Sequence, residues 1–308
     1  MHRFKYFIYV FILVVLAVAF SVYAVNQDSK NSGEPGVHLN NQIFNEYVAD
    51  LIKSREPEIK AAVMSNEDIT DFHLKDASFD IETGKLTLQF KVQYKKKNIS
   101  GKLGFEVRAS NEVSPQIGGY CLGLEGKLHS DNLFANMVLA FTTSHFNKNL
   151  AGKEFWPDKQ SHSQYQVFKN SNLASIMNQI MASNGALNGQ FPQFTQNIPG
   201  GTLQVDFKDI ICRSFDTNAG QAQIDSGISV AVKSEFLGAT NIPNAGSLES
   251  YFDFYVNPAD KSWWARLNAL KIKMNMGPEI NSMAQKIIDK HLKDHQVLIA
   301  LNMPKVNP

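Results

Sequence analysis

Leu86-Thr87-Leu88-Gln89-Phe90-Lys91-Val92-Gln93-Tyr94 decides the fold, together with the run that answers it from Ile99 to Arg108. In the first stretch apolar and polar residues alternate. In the second the phase resets, and Ile99, Leu103, Phe105 and Val107 alternate with Ser100, Lys102, Glu106 and Arg108. A period of two puts one set on each face of a pleated strand, which predicts two half-buried strands of an antiparallel hairpin. Lys95-Lys96-Lys97-Asn98 is the turn between them. It reads first as a solvated hairpin loop, and second as a contact for phospholipid head groups.

Working outward, Phe72–Ile81 predicts a preceding strand that ends in the turn Glu82-Thr83-Gly84-Lys85. After a loop with Pro115 and Gly118-Gly119, Tyr120, Leu122, Leu124 and Leu128 predict a fourth strand. A helix flanks this set on each side. Asn40 or Asn41 caps the first, whose Ile43, Phe44, Tyr47, Val48, Leu51 and Ile52 share a wide face; Pro57 ends or kinks it before the pattern resumes with Ile59 and Val63. Ser130 or Asp131 caps the second, which carries Phe134, Met137, Val138, Phe141 and Phe146.

The second half repeats this order. A helix near 171–182 leads through an Asn/Gly/Pro/Gln-rich connection to strands with Leu203, Val205 and Phe207, then Ala222, Ile224, Ile228, Val230 and Val232. A hairpin turning at Asn257-Pro258-Ala259-Asp260, an amphipathic helix from Pro278, and an apolar strand Val297–Leu301 complete it. Ser78-Phe79-Asp80-x-x-x-Gly84 and Ser214-Phe215-Asp216-x-x-x-Gly220 match in spacing, each between a first and a second strand. The period is about 135 residues, which points to two tandem domains rather than a solenoid of short repeats.

The run from Tyr6 to Val25 is uncharged, lacks Pro and Gly, and follows Arg3 and Lys5. About 20 such residues suffice to cross a bilayer, and basic residues stay on the cytoplasmic side. The favoured reading is an uncleaved single-span anchor in the inner membrane, with the bulk of the chain in the periplasm. The alternative is a signal peptide cleaved near Ala24, although such peptides have shorter apolar cores. Residues 26–37 read as a polar linker.

Beyond residue 24 the chain carries 28 Lys and Arg against 29 Asp and Glu, a balance that gives no broad electrostatic footprint for nucleic acid. Its two cysteines, Cys121 and Cys212, have neither CxxC nor metal-type spacing. In an oxidising compartment they pair as a disulfide or remain two buried thiols.

Catalytic signals are lacking. His291 and His295 have helix-face spacing, but Leu292 stands where a zinc hydrolase needs Glu. No Ser lies in a GxSxG elbow, and neither Gly118-Gly119 nor Gly200-Gly201 opens a helix after a strand to cradle phosphate. No enzyme, metal or cofactor is expected. Trp263-Trp264 on a strand must point to opposite faces, one into the core.

The opening Val37-His38-Leu39-Asn40-Asn41-Gln42-Ile43-Phe44-Asn45-Glu46-Tyr47-Val48, the Gly84–Val92 and Ile99–Val107 hairpin, the Leu122–Leu128 strand and the 131–150 helix follow one another in a telling order. This order resembles a bacterial periplasmic lipoprotein family of tubular lipid-binding (TULIP-like) fold. The resemblance covers residues 37–150 and, more faintly, 170–301; the chain lacks that family's lipobox Cys. It implies an apolar groove between helix and sheet that shelters an acyl chain.

The expected architecture is α+β: twisted antiparallel sheets wrapped on amphipathic helices, in two similar lobes after a transmembrane helix. The expected divisions are 1–25 anchor, 26–37 linker, 38–156 first lobe and 157–308 second lobe. The leading expectation for function is a membrane-tethered scaffold or adaptor contacting other envelope proteins. The alternative is a carrier of lipid or another apolar molecule. Its groove would be lined by Ile43, Tyr47, Leu51, Leu88, Phe90, Val92, Phe105 and Val107, with Phe90 and Phe105 buried beneath the 40–53 helix.

Overall fold

The computed structural model describes residues 36–64, 68–112, 116–130, 150–156, 162–183, 194–198, 201–234, 238–275 and 297–301, with scattered positions in 139–148, 160 and 278–290. Antiparallel sheet dominates and helices are few. The expected span at residues 6–25 lies outside the described residues, as do His291 and His295. Among the described residues no helix is long and apolar enough to cross a membrane.

The chain divides into two compact units, residues 40–179 and residues 180–302 with those up to Leu39. The first holds α1 (Asn41–Ser54), α2 (Glu56–Val63), β2 (Ile69–Asp80), β3 (Lys85–Tyr94), β4 (Lys97–Ser110), β5 (Ile117–Leu124), β6 (His129–Ser130), β7 (Glu154–Phe155) and β8 (Tyr165–Val167). Its sheet runs β2-β3-β4-β5-β7, with β6 and β8 also paired to β4. The second unit holds β1 (Val37–His38), β9 (Phe194–Ile198), β10 (Gly201–Asp216), β11 (Gln221–Ser234), β12 (Gly238–Val256), β13 (Trp263–Met274) and β14 (Val297–Leu301). Its sheet runs β14-β13-β12-β11-β10-β9, with β1 on β12. The division falls within α3 (Leu173–Ser183). The reason is β8, whose Val167 pairs with Arg108 of β4 and so keeps the chain in the first unit.

The hairpin forms as its alternation requires. Leu86 pairs with Phe105, Leu88 with Leu103, Phe90 with Gly101 and Val92 with Ile99, which gathers the apolar residues of both strands on one face. The turn is tighter than expected, with Lys95 and Lys96 alone at its corner and Lys97-Asn98 already in β4. Gly118 and Gly119 lie in β5 rather than in a loop, because the Trp156 ring and the Phe155 carbonyl occupy the space a side chain at Gly118 would need.

Asn40 caps α1: its Oδ1 accepts from the Ile43 N–H at 2.9 Å, a bond worth about 1 kcal/mol. Pro57 opens α2 after a break at Arg55. Both helices run along β2, the edge strand. The Ile81 N–H donates to Asn45 Oδ1 at 2.9 Å and the Leu74 N–H to Glu56 Oε1 at 3.0 Å. Lys53–Asp76 and Lys60–Asp71 pair along the same line at 2.8 Å. Helix side chains thus occupy backbone groups that would otherwise invite another strand.

In the second unit β13 pairs with β14 only from Trp263 to Leu267. Beyond that, Gln285 accepts from the Ile272 N–H at 3.0 Å and donates to the Leu270 carbonyl at 2.7 Å, while Asn281 accepts from the Met274 N–H. Trp263 is buried and Trp264 half-buried, on opposite faces.

The two matched heptapeptides make the same turn. Asp80 Oδ1 accepts from the Glu82 N–H at 3.0 Å, and Asp216 Oδ1 from the Asn218 N–H at 2.9 Å. Gly84 and Gly220 close the turns at φ +71 and +58, a left-handed conformation that favours glycine. The Gly84 carbonyl accepts from the Val107 N–H, and the Val107 carbonyl from the Phe168 N–H, both at 2.8 Å. In the second unit Phe254 and Leu39 repeat that relay on the Gly220 carbonyl, again at 2.8 Å.

Cys121 and Cys212 are buried thiols, the second of the two alternatives that the sequence leaves open. Each belongs to its own unit's sheet, Cys121 on β5 and Cys212 on β10, and burial pushes both thiols above their usual pKa.

Candidate functional site

The apolar face of the first sheet is covered unevenly. On β2, Phe72, Leu74, Ala77 and Phe79 are buried alongside α1 and α2. On the same face of β3 and β4, Leu86, Leu88, Phe90, Val92, Ile99, Leu103, Phe105 and Val107 are all half-buried. The register makes these one surface, because Phe72 pairs with Val92, Leu74 with Phe90 and Phe79 with Leu86. The face continues past Val107 to Gly119 of β5, then to Phe155 of β7. Phe155 is 50% exposed and Ile117, opposite Ala109, is 48% exposed. The Phe105 and Phe155 rings meet edge-on at 6.0 Å. From Ile99 to Val107 the strand rise makes this an apolar trough about 25 Å long.

Gly101 notches the floor. A side chain there would meet Leu128 Cδ2 at 2.6 Å and Phe90 Cζ at 3.1 Å, so those two groups lean across the gap. At the turn end Tyr94 continues the face of Val92 and is 36% exposed.

Of the eight residues expected to line a groove, five share this face: Leu88, Phe90, Val92, Phe105 and Val107. The other three stand on α1, where Tyr47 is 4% exposed and Ile43 and Leu51 are half-buried. Burial raises the Tyr47 phenol pKa. Phe90 and Phe105 are half-buried rather than enclosed beneath the helix, because α1 packs on β2 instead. Sequence reasoning omitted Leu86, Ile99 and Leu103 although they carry the same alternation. It missed Phe155 because a two-residue strand such as β7 has no period to read, and Ile117 because Gly118-Gly119 read as part of a loop.

The opposite face of the same strands is polar and tightly tied. Arg108, with its side chain 8% exposed, donates from Nε to Glu106 Oε1 at 2.7 Å and from Nη1 to Glu154 Oε1 at 2.8 Å. Its guanidinium lies 3.8 Å from the Tyr120 ring centre and 3.9 Å from that of Tyr165, a stacked geometry suited to arginine. Trp156 Nε1 donates to Glu154 Oε2 at 3.0 Å, and His162 joins Trp156 edge-on while bonding Glu112. This cluster draws β7 and β8 onto β4 and β5 and so fixes the back of the trough. No group in it stands beside the apolar face, so it offers a ligand there no polar chemistry.

The second unit carries a groove of about 540 Å³ beside the β13 edge, lined by Leu270, Ile272, Asn281 and Gln285 among others. Its polar lining is committed to the strand edge. Among the described residues no group of His, Cys, Asp and Glu is arranged to hold a metal ion.

No family model matches the chain, and no curated protein matches its sequence. Among solved structures, a lipopolysaccharide binding protein aligns over 73% of this chain and 76% of its own, at 8% identity and a TM-score of 0.22. That overlap is too low to carry an argument.

Proposed function

We propose that the chain binds an elongated apolar molecule, of the acyl-chain type, along the β3–β4 face of its first unit. One observation carries this reading: a single apolar face is sealed on β2 yet half-buried from Leu86 to Val92 on β3 and from Ile99 to Val107 on β4, beside exposed Ile117 and Phe155. Covering apolar area returns about 25 cal/mol per Å², so a chain laid along the trough has a sufficient driving force without any polar contact. The uncharged run at residues 6–25 supports a single-span anchor, with both units outside the cytoplasm and near the bilayer that supplies such a ligand. The shared turn and relay at Gly84 and Gly220 support two lobes built on one plan.

Phe90 tests the reading. In an enclosed core Phe90→Ala would cost about 3–5 kcal/mol. Beside an open trough the denaturant midpoint should move much less, and native mass spectrometry of the full chain from a membrane-containing host should still find bound lipid. Phe90→Trp should reduce that lipid with little loss of stability, whereas a tight core would be overpacked by about 1–3 kcal/mol. Large penalties for both variants, with no co-purifying lipid, would end the carrier reading and leave the scaffold role.

A further inference from the structure

The β3–β4 turn places Lys95 at φ 46 and Lys96 at φ 64. A two-residue hairpin turn with both corner residues in the left-handed region is the type for which Asn-Gly is strongly favoured, since other L residues meet their own Cβ there. Lysine gains nothing at such a corner from backbone geometry. Yet both corner positions are lysine, and a third, Lys97, opens β4. All three are exposed. Asp68 takes one of them, with its Oδ2 3.2 Å from Lys95 Nζ, and also accepts from the Tyr94 hydroxyl at 3.3 Å. Among the described residues no carboxylate is paired with Lys96 or Lys97.

Tyr94 adds the second observation. It is the last residue of the trough face before the turn, and the Lys95 ammonium stands 5.2 Å from its ring centre. An aromatic ring with a polar end beside a cluster of cations is the side-chain set that settles at a bilayer's head-group level. Here it sits where the trough ends, one rung beyond Val92 and Ile99.

We propose that the Lys95–Lys97 tip docks on the anionic head-group surface of a lipid bilayer and sets the turn end of the trough, at Tyr94, against the acyl layer. The proposal rests on the trough reading for its purpose but not for its chemistry. Each lysine near an anionic surface strengthens binding about fivefold, and the gain falls with salt. An acidic protein would use the same charge but has no need of the exposed Tyr94 at the turn end of the trough.

The test uses the full chain held in phosphatidylcholine nanodiscs, mixed with vesicles of phosphatidylcholine with or without phosphatidylglycerol and separated by flotation. Capture should require phosphatidylglycerol and weaken as salt is raised. Lys95→Asn with Lys96→Gly installs the favoured turn, so its melting temperature should hold or rise while capture falls about twenty-five-fold. Lys96→Gln with Lys97→Gln keeps the Lys95–Asp68 pair and should lose a similar factor. Equal capture by wild type and either folded variant, or equal capture of the two vesicle types, overturns the proposal. Phe90→Trp separates the two readings: lost lipid with retained vesicle capture leaves the tip standing and locates the ligand in the trough. Bound lipid retained in the lysine variants, with capture gone, supports both.

Discussion

Ser78-Phe79-Asp80-Ile81-Glu82-Thr83-Gly84 and Ser214-Phe215-Asp216-Thr217-Asn218-Ala219-Gly220 turn the chain alike, and each glycine carbonyl accepts from the strand after next. Past that shared turn the units part. In the second, the same face of β11 and β12 is more deeply covered, with Ala222, Ile228, Val230, Leu248, Phe254 and Val256 buried and Ile224, Ile242 and Phe252 half-buried. In the first, the corresponding middle strands are half-open from Leu86 to Val107. The turn therefore fixes topology without fixing closure. Strand length differs as well: β12 runs 19 residues where β4 runs 14. Openness in the first unit is a property of what covers its face, not of the turn the units share.

Paired substitutions sharpen this contrast. The largest effect is expected at the phenylalanine of the turn motif. Phe79 is 6% exposed and packs near Phe168, so Phe79→Ala should cost about 3–5 kcal/mol in chemical denaturation. Phe215, half-buried against Phe254 at 5.1 Å, should cost less when truncated. Equal costs would break the expectation that the two motif phenylalanines are covered unequally.

Next comes the arginine on the back of each sheet. Removing the Arg108 guanidinium leaves Glu106 and Glu154 facing each other without a cation, so Arg108→Met should cost about 3 kcal/mol. Arg266 holds the buried Asp253 at 2.9 Å but is itself 32% exposed, and Arg266→Met should cost less. Thermal melts of the two variants give the order directly.

Glycine replacements should act more weakly and in the opposite order. At Gly220 a Cβ would stand 2.3 Å from the Leu39 carbonyl oxygen, whereas at Gly84 the nearest atom is the Val167 Cγ1 at 2.6 Å, a side chain that can give. Gly220→Ala should therefore destabilise by about 2–3 kcal/mol and Gly84→Ala by less. A larger loss at Gly84 would show that β8 is held more rigidly than β1.

The smallest effect concerns acid. The Lys60 ammonium holds the Asp71 carboxyl below its usual range, and Lys53 does the same for Asp76. Groups with lowered folded pKa contribute above the ordinary carboxylate range, near pH 4, and that contribution fades as pH falls through the folded value. Both pairs are well exposed, so the loss is small and salt-sensitive. Amide exchange should report it as weaker protection of α1 and α2 below about pH 4.

The strands and capped helices were legible because alternation and Asn40 act over a few residues. Phe90 and Phe105 were assigned to the correct face for that reason. Their half-burial was not legible: a period of two tells which side is apolar, but says nothing of which neighbour covers it. Arg108 was read as one of the polar residues alternating with Val107, and its stacking between Tyr120 and Tyr165 depends on Glu154, 46 positions away. Val37 and His38 were assigned to the linker and to the start of the first lobe. A two-residue strand carries no signal of its partner, which here is Val256 and Tyr255.

That pairing sets an order on assembly. Val37 meets Val256 across roughly 220 residues of chain, a long-range closure that slows folding more than it weakens the product. As the polypeptide leaves the ribosome, residues 40–179 contain every strand their own sheet requires, including β8, and can complete it while the rest is still being made. The second sheet cannot. Among the described strands its β1 emerges first and must stay unclaimed until β12 arrives, so an early-made strand is among the last to find its place.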